Sequence, residues 1–221
     1  MTTRRKRRNS ERAEKVKSVT AKTPNQKDYI RSIVENDITF CCGPAGSGKS
    51  FVAAGIAASH LHKGETSRII VTRPLVCTGK DIGALPGELD EKIAPYLTPM
   101  QENLRFFLGQ SYYGYYNNEG KLKYEPLEVM RGATFHDSYM ILDEAQNCTF
   151  EQIKMFITRM GENSKIIING DINQSDIRGL GGLEYCMDRL EAVDGVGVCE
   201  LDYDDIQRNG ILGRILDALE D

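Results

Sequence analysis

No apolar run in this chain approaches the roughly 20 residues that a bilayer-spanning helix needs, which excludes a helical membrane anchor within it. The N-terminus is basic, but no apolar segment follows the charges, so it is not a secretory signal. Glu11 and Glu14, without an apolar face, argue against an organelle transit peptide as well. The six cysteines are unpaired in pattern. Cys41, Cys42, Cys77, Cys148, Cys186 and Cys199 form no Cys-x-x-Cys, and the three histidines are not placed to complete a zinc site. Cys41, Cys42 and Cys199 sit in apolar runs and read as small core residues. This usage fits a reducing, cytoplasmic setting. There is no internal repeat and no sign of a second folded domain. With 221 residues, 40% hydrophobic and 27% charged, the chain has the composition of a soluble globular protein with one sizeable core, or at most two small ones.

The net charge of −4 hides an asymmetry. Residues 1–22 carry nine Lys or Arg against two Glu, a local +7, which leaves the remainder near −11. Arg4, Arg5, Lys6, Arg7 and Arg8 therefore form a basic arm ahead of an acidic body that starts at residue 23. Such an arm reads as disordered and attractive to polyanions, nucleic acid first among them. A solvated tail or a contact with an acidic neighbouring subunit is the alternative.

The strongest local signal is Gly43-Pro44-Ala45-Gly46-Ser47-Gly48-Lys49-Ser50, the pattern of a phosphate-binding loop. Ile38–Cys42 before it reads as a strand, and the alanine-rich stretch from Phe51 to Ala58 reads as a buried helix. That order lets backbone N–H groups and the helix N-terminus face phosphate oxygens. Lys49 is expected to reach the β- and γ-phosphates and Ser50 to bind Mg²⁺, with residues 43–51, Phe51 included, forming the nucleotide cradle. A glycine-rich turn with a chance lysine is the bland alternative.

Further strands are predicted at Arg68–Thr72, Tyr139–Glu144 (ending in its two acids), Lys165–Asn169 and Gly197–Leu201, each rich in β-branched or apolar residues. Helices are predicted from Thr23-Pro24, with Tyr29, Ile30, Ile33 and Val34 on one face, from Thr149, with Ile153, Phe156, Ile157 and Met160, and from Ile211 to Leu219. Over residues 81–108 a helical pattern is broken by Pro95 and Pro99. The tyrosines at 112, 113, 115, 116 and 124 are expected in a surface loop or hairpin, packing or contacting a subunit rather than stacking bases. Strands alternating with helices imply a mostly parallel α/β sheet with right-handed crossovers.

In such a sheet ligands lie beyond the carboxyl ends of the strands. Asp143 and Glu144 end one strand. Asp143 can hold Mg²⁺ opposite Ser50, and Glu144 can orient and deprotonate a water; a helix-capping acid pair is the alternative. Gln174, beyond Gly170-Asp171, can position that water or sense the γ-phosphate, although a polar turn after a strand is common.

Taken together these segments resemble the PhoH family of P-loop ATPases, related to the first RecA-like domain of superfamily 1 helicases. The resemblance runs from about residue 23 to 216. It is carried by Thr23-Pro24-Asn25-Gln26, the loop at 43–50, Val71-Thr72-Arg73-Pro74, Ile82-Gly83-Ala84-Leu85-Pro86-Gly87, Met130–Phe135, Ile141–Asn147, and Gly170-Asp171 with Gln174. It implies a single RecA-like domain in which Gln26 reads the adenine edge and Thr72 and Arg73 contact a nucleic-acid backbone. For Arg73, a pair with an acid at the sheet edge is the other reading. No Asn-Lys-x-Asp guanine reader is present. Where the family has Asp-Leu-Pro and Asp-Ile-Val-Arg, this chain has Asp176-Ile177-Arg178 and Asp205-Ile206-Gln207-Arg208. Arg208 is thus the first candidate for a transition-state arginine and Arg178 the second, with a surface or helix-dipole role as the alternative.

The expectation is an ATPase that couples Mg·ATP hydrolysis to single-stranded nucleic acid, RNA favoured over DNA. A single lobe implies that a neighbouring copy supplies the opposite face of the site, in a homo-hexameric ring. The rivals are a nucleotide-gated scaffold or RNA-binding adaptor and, less favoured, a P-loop kinase.

Overall fold

A computed structural model describes residues 15–74, 89–175 and 181–206, and within 89–95 the backbone alone. The basic residues Arg4 to Arg8, the 82–87 motif, Arg178, Arg208, Cys77 and the helix expected at 211–219 lie outside the described residues.

Six strands form one sheet: β1 (Ile38–Cys42), β2 (Arg68–Thr72), β3 (Leu122–Tyr124), β4 (Ser138–Leu142), β5 (Lys165–Gly170) and β6 (Val196–Glu200). Their spatial order is β3-β2-β4-β5-β1-β6, and every pairing is parallel. Because side chains alternate across a strand, each one feeds two cores. In β4, Tyr139 and Ile141 face one cluster while Met140 and Leu142 face the other. Burial on both faces explains why β2, β4 and β5 read as continuous apolar runs instead of alternating.

One face is covered by α1 (Pro24–Glu35), α2 (Lys49–Lys63) and α3 (Leu89–Asn118), the other by α4 (Phe150–Ile157) and α5 (Gly182–Leu190). Helix α1 starts as expected, with the Thr23 side chain accepting from the Gln26 N–H and Pro24 in the first turn. Tyr29 and Ile33 are fully buried, but Val34 is 49% exposed, so the apolar face is narrower than its spacing suggests. Helix α4 opens on a capping box between Thr149 and Gln152 and ends at Ile157. Met160 lies beyond it, in a bridge with Phe135. Helix α5, which the sequence did not announce, begins where Gly182 lets it approach the start of α4. A Cβ there would lie 2.4 Å from the Thr149 carbonyl carbon.

Two expectations are corrected. The tyrosine stretch is not a loop or hairpin: residues 89–118 are helical through Pro95 and Pro99, and the interruption falls at Gly109 (φ 74°, ψ 161°). Tyr113 and Tyr116 are buried against the core, Tyr112 packs edge-on to His62 of α2, and only Tyr115 among the four is exposed. Tertiary packing on α2 thus overrides the glycine and asparagine content. The second correction concerns the arm. Residues 15–22, assigned to it by charge, lie against the body: Val16 and Val19 pack on the core, and the Lys17 N–H donates to the Phe107 carbonyl at 2.8 Å.

The buried cysteines fit their apolar surroundings. Burial pushes the Cys148 thiol up to about 12 and those of Cys42 and Cys186 to about 11, so all three stay protonated at neutral pH.

Candidate active site

The carboxyl ends of β1, β2, β4 and β5 open onto one cleft of about 620 Å³. The loop from Gly43 to Gly48 forms its floor. Gly48 has φ 96°, a conformation L side chains avoid, and a Cβ on it would sit 3.0 Å from Gln26 Nε2. Helix α2 then starts at Lys49, so its N-terminal N–H groups point into the cleft. Lys49 Nζ donates to the carbonyls of Gly43 (2.6 Å) and Pro44 (3.0 Å), folding its cation back over the loop.

Ser50 Oγ donates to Asp143 Oδ1 at 2.7 Å, which joins α2 to the end of β4. Burial, and then the neighbouring Glu144 charge, push the Asp143 carboxyl above its ordinary range; Ser50, Arg73 and Lys49 act in the opposite direction. A hydroxyl and a carboxylate oxygen this close form a hard-oxygen donor set. Among the described residues no group of three His, Cys, Asp or Glu could hold a metal. The Ser50–Asp143 oxygens are of the kind Mg²⁺ takes, one or two from protein with the shell completed by phosphate and water.

Glu144 follows in a left-handed conformation (φ 58°), which turns its side chain away from the strand direction. Both of its oxygens are engaged. Arg73 Nη2 lies 3.1 Å from Oε1, and Gln146 Nε2 donates to Oε2 at 2.7 Å. The sheet-edge acid pair is therefore the reading of Arg73 that the geometry shows. Thr72 is fully buried, with its hydroxyl unpartnered, so it offers no surface to a nucleic-acid backbone in this conformation.

Gln146 is the residue that motif reading quoted but gave no task. It is buried, and its Oε1 accepts from the Asp171 N–H at 3.1 Å while its Nε2 holds Glu144. One amide thereby ties the β4 end to the β5 end. Asp171 is the second residue missed: burial pushes its carboxyl up, against backbone hydrogen bonds from Asn173 and from Ala45 of the phosphate loop. An amide two positions after the acid pair was the available signal for Gln146. Gln174, in a short turn after Asp171, lines the same cleft.

At the other end of the cleft stand Thr20, Lys22, Gln26 and Phe51. The Gln26 amide is satisfied inside the protein. Nε2 donates to the Ser47 carbonyl (2.9 Å) and Oε1 accepts from the Lys22 N–H (2.9 Å), so in this structure it clamps the incoming chain to the phosphate loop rather than presenting an open edge. Below it, Asp205 accepts from Thr23 Oγ1 and Asn25 Nδ2, fixing the chain after β6 against the start of α1. Burial acts to raise this carboxyl, but these hydrogen bonds hold it below its ordinary value.

A parallel sheet in this order, with a phosphate loop after β1 and an acid pair after β4, defines a RecA-like P-loop NTPase domain. The family model described as "PhoH-like protein" matches residues 18–220, and the chain belongs to that family. It is 41% identical over 208 residues to a PhoH-like protein of Bacillus subtilis (strain 168), covering 93% of this chain and 65% of the relative. Protein PhoH of Escherichia coli (strain K12) is 40% identical over 204 residues, covering 90% and 58% respectively. The chain thus spans about three-fifths of the length of these relatives. Among solved structures, it is similar to the Sulfolobus solfataricus SWI2/SNF2 ATPase core in complex with dsDNA (TM-score 0.51, 13% identity, covering 84% of this chain and 46% of that one). It is also similar to the large terminase of a thermophilic bacteriophage (TM-score 0.52, 12% identity, 88% and 49%). These two likenesses show the fold. No helix among the described residues is long and apolar enough to cross a membrane.

Proposed function

We propose that this chain hydrolyses Mg·ATP and couples the reaction to single-stranded nucleic acid, RNA in preference to DNA. One observation carries the reading: Lys49, the Ser50–Asp143 pair, Glu144 and Gln174 share a single cleft at the carboxyl ends of the strands. Bound at Ser50 and Asp143, Mg²⁺ supplies charge neutralisation to the phosphate oxygens. Lys49 leaves its loop carbonyls for the β- and γ-phosphates. Gln174 orients a water, and Glu144 takes a proton from it. Gln26 reads the adenine edge by exchanging one of its internal hydrogen bonds. Arg4, Arg5, Lys6, Arg7 and Arg8 supply phosphate contacts to the polymer, and a second copy, in a closed hexameric ring, faces the cleft with Arg208 as its first candidate finger.

The deciding measurement is phosphate release with single-stranded RNA, single-stranded DNA or neither, across salt concentrations. The expected result is stimulation, greater with RNA and fading as salt rises. A nucleotide-gated scaffold is the second reading, favoured by the engagement of both Glu144 oxygens within the protein. Absence of stimulation by either polymer supports it. Mass in solution with a non-hydrolysable ATP analogue is expected to correspond to six copies, and monomer alone would overturn the ring.

A further inference from the structure

Arg73 stands in the wall of the same cleft as Lys49, Asp143 and Glu144, and it bridges two elements. Its Nη2 lies 3.1 Å from Glu144 Oε1, and its Nη1 donates to the Tyr96 carbonyl of α3 at 3.1 Å. The backbone fixes that position, because the Asp143 N–H donates to the Thr72 carbonyl at 3.0 Å and so locks the ends of β2 and β4 side by side. A planar guanidinium can serve two acceptors at once in this way; an ammonium is a point charge without that fork.

The pair with Glu144 is not a buried structural bridge. The two side chains are 26% and 37% exposed, and an ion pair in that setting is only weakly stabilising. Exchanging one partner for another is therefore easy. Of the three cations that line the cleft among the described residues, Lys22 is at the Gln26 end and Lys49 is folded on the loop. Arg73 is the one ion-paired with Glu144. A triphosphate brings several negative charges into that space and offers paired oxygens, which suit a guanidinium better than a single carboxylate oxygen does.

We propose that Arg73 is a catalytic arginine supplied by the same chain: it exchanges its pairing with Glu144 for the γ-phosphoryl oxygens when ATP binds. The move does two things. It places a fixed positive charge where negative charge spreads during transfer. It also frees Glu144 Oε1, so the base is released only when its substrate has arrived. In the step itself the water oxygen bonds to the γ-phosphorus, and the bond from that phosphorus to the β–γ bridging oxygen breaks. ADP leaves with the electron pair, and the water's proton passes to Glu144. The inference rests on the hydrolase reading for its rate effect, but the γ-phosphate contact can be tested without turnover.

Arg73→Ala and Arg73→Lys, both checked for folding by circular dichroism, are compared with wild type for kcat, KM, AMPPNP and ADP affinity, and affinity for a single-stranded RNA oligonucleotide. For Arg73→Ala, kcat is expected to fall about 10²–10³-fold, the range for loss of one donor to developing charge. AMPPNP affinity is expected to fall about 10-fold or more, as for a lost hydrogen bond to a charged group, with ADP and RNA affinities unchanged. Arg73→Lys should recover part of kcat. A variant with wild-type kcat and an unchanged AMPPNP-to-ADP ratio, or one that loses RNA affinity alone, overturns the proposal and returns Arg73 to the nucleic-acid backbone. If wild type itself fails to turn over ATP, the hydrolase reading falls, while the AMPPNP-to-ADP ratio still decides the contact.

Discussion

Glu144→Gln is expected to reduce kcat for ATP by about 10²–10⁴-fold, the contribution usual for a positioned general base, and to leave nucleotide affinity near wild type. The substitution keeps size and shape but cannot take up a proton. It also disturbs the pair of donors that now hold the carboxylate. A glutamine amide has one oxygen and one NH₂, so it can accept from Arg73 or from Gln146 but not from both on separate oxygens. The pair it loses is only partly buried, so the stability change should be within about 1 kcal/mol. A fall in turnover with unaltered Tm therefore reports chemistry rather than unfolding. Single-turnover kinetics with stoichiometric ATP separate the chemical step from product release. Unchanged turnover would sink Glu144 as the base and favour the nucleotide-gated scaffold.

The parts of this molecule that were legible in sequence are those where local chemistry and tertiary structure demand the same thing. The phosphate loop is one, since positive φ at Gly46 and Gly48 requires glycine whatever surrounds it. The β-branched runs of β2, β4 and β5 are another, because a strand covered on both faces has no polar side to hide. Legibility failed where distant packing decides. Helix α3 contains Pro95, Pro99, Gly109, Gly114 and two adjacent asparagines, each a local argument for a loop, yet Leu104, Phe107, Tyr113 and Tyr116 bury a face against the core. Edge strand β3 is three residues long, too short for any period to register.

The site shows the same division. Lys49, Ser50, Asp143 and Glu144 were readable as types, but their partners were not. Arg73 and Glu144 are 71 positions apart, and they meet because β2 lies beside β4 in the sheet order, a fact that no local spacing encodes. Gln26 shows the opposite failure. Its motif was plain, but the engagement of both ends of its amide depends on where Lys22 and Ser47 come to lie.

Lys49→Ala is expected to lower kcat/KM for ATP by about 10⁴-fold, combining a lost transition-state donor with lost ground-state contacts to charged oxygens. Its clearest signature needs no turnover. A ligand that binds only the folded state at 100 times its Kd stabilises that state by about 2.7 kcal/mol, which for a chain of this size shifts Tm by roughly 5–10 °C. Wild type should show that shift with Mg·AMPPNP, and Lys49→Ala should show almost none at the same concentration. The nucleotide-free variant has its own cost, because the Gly43 and Pro44 carbonyls lose the ammonium that now caps them. The Pro44 carbonyl keeps the Ser47 hydroxyl and N–H as donors, so that loss should stay near about 1 kcal/mol. The two effects differ in kind: one lowers the baseline Tm slightly, the other removes the response to nucleotide. A variant that keeps the full nucleotide-dependent shift would show that the loop holds triphosphate through its backbone alone. Lys49 would then be a clamp on the loop rather than a phosphate ligand.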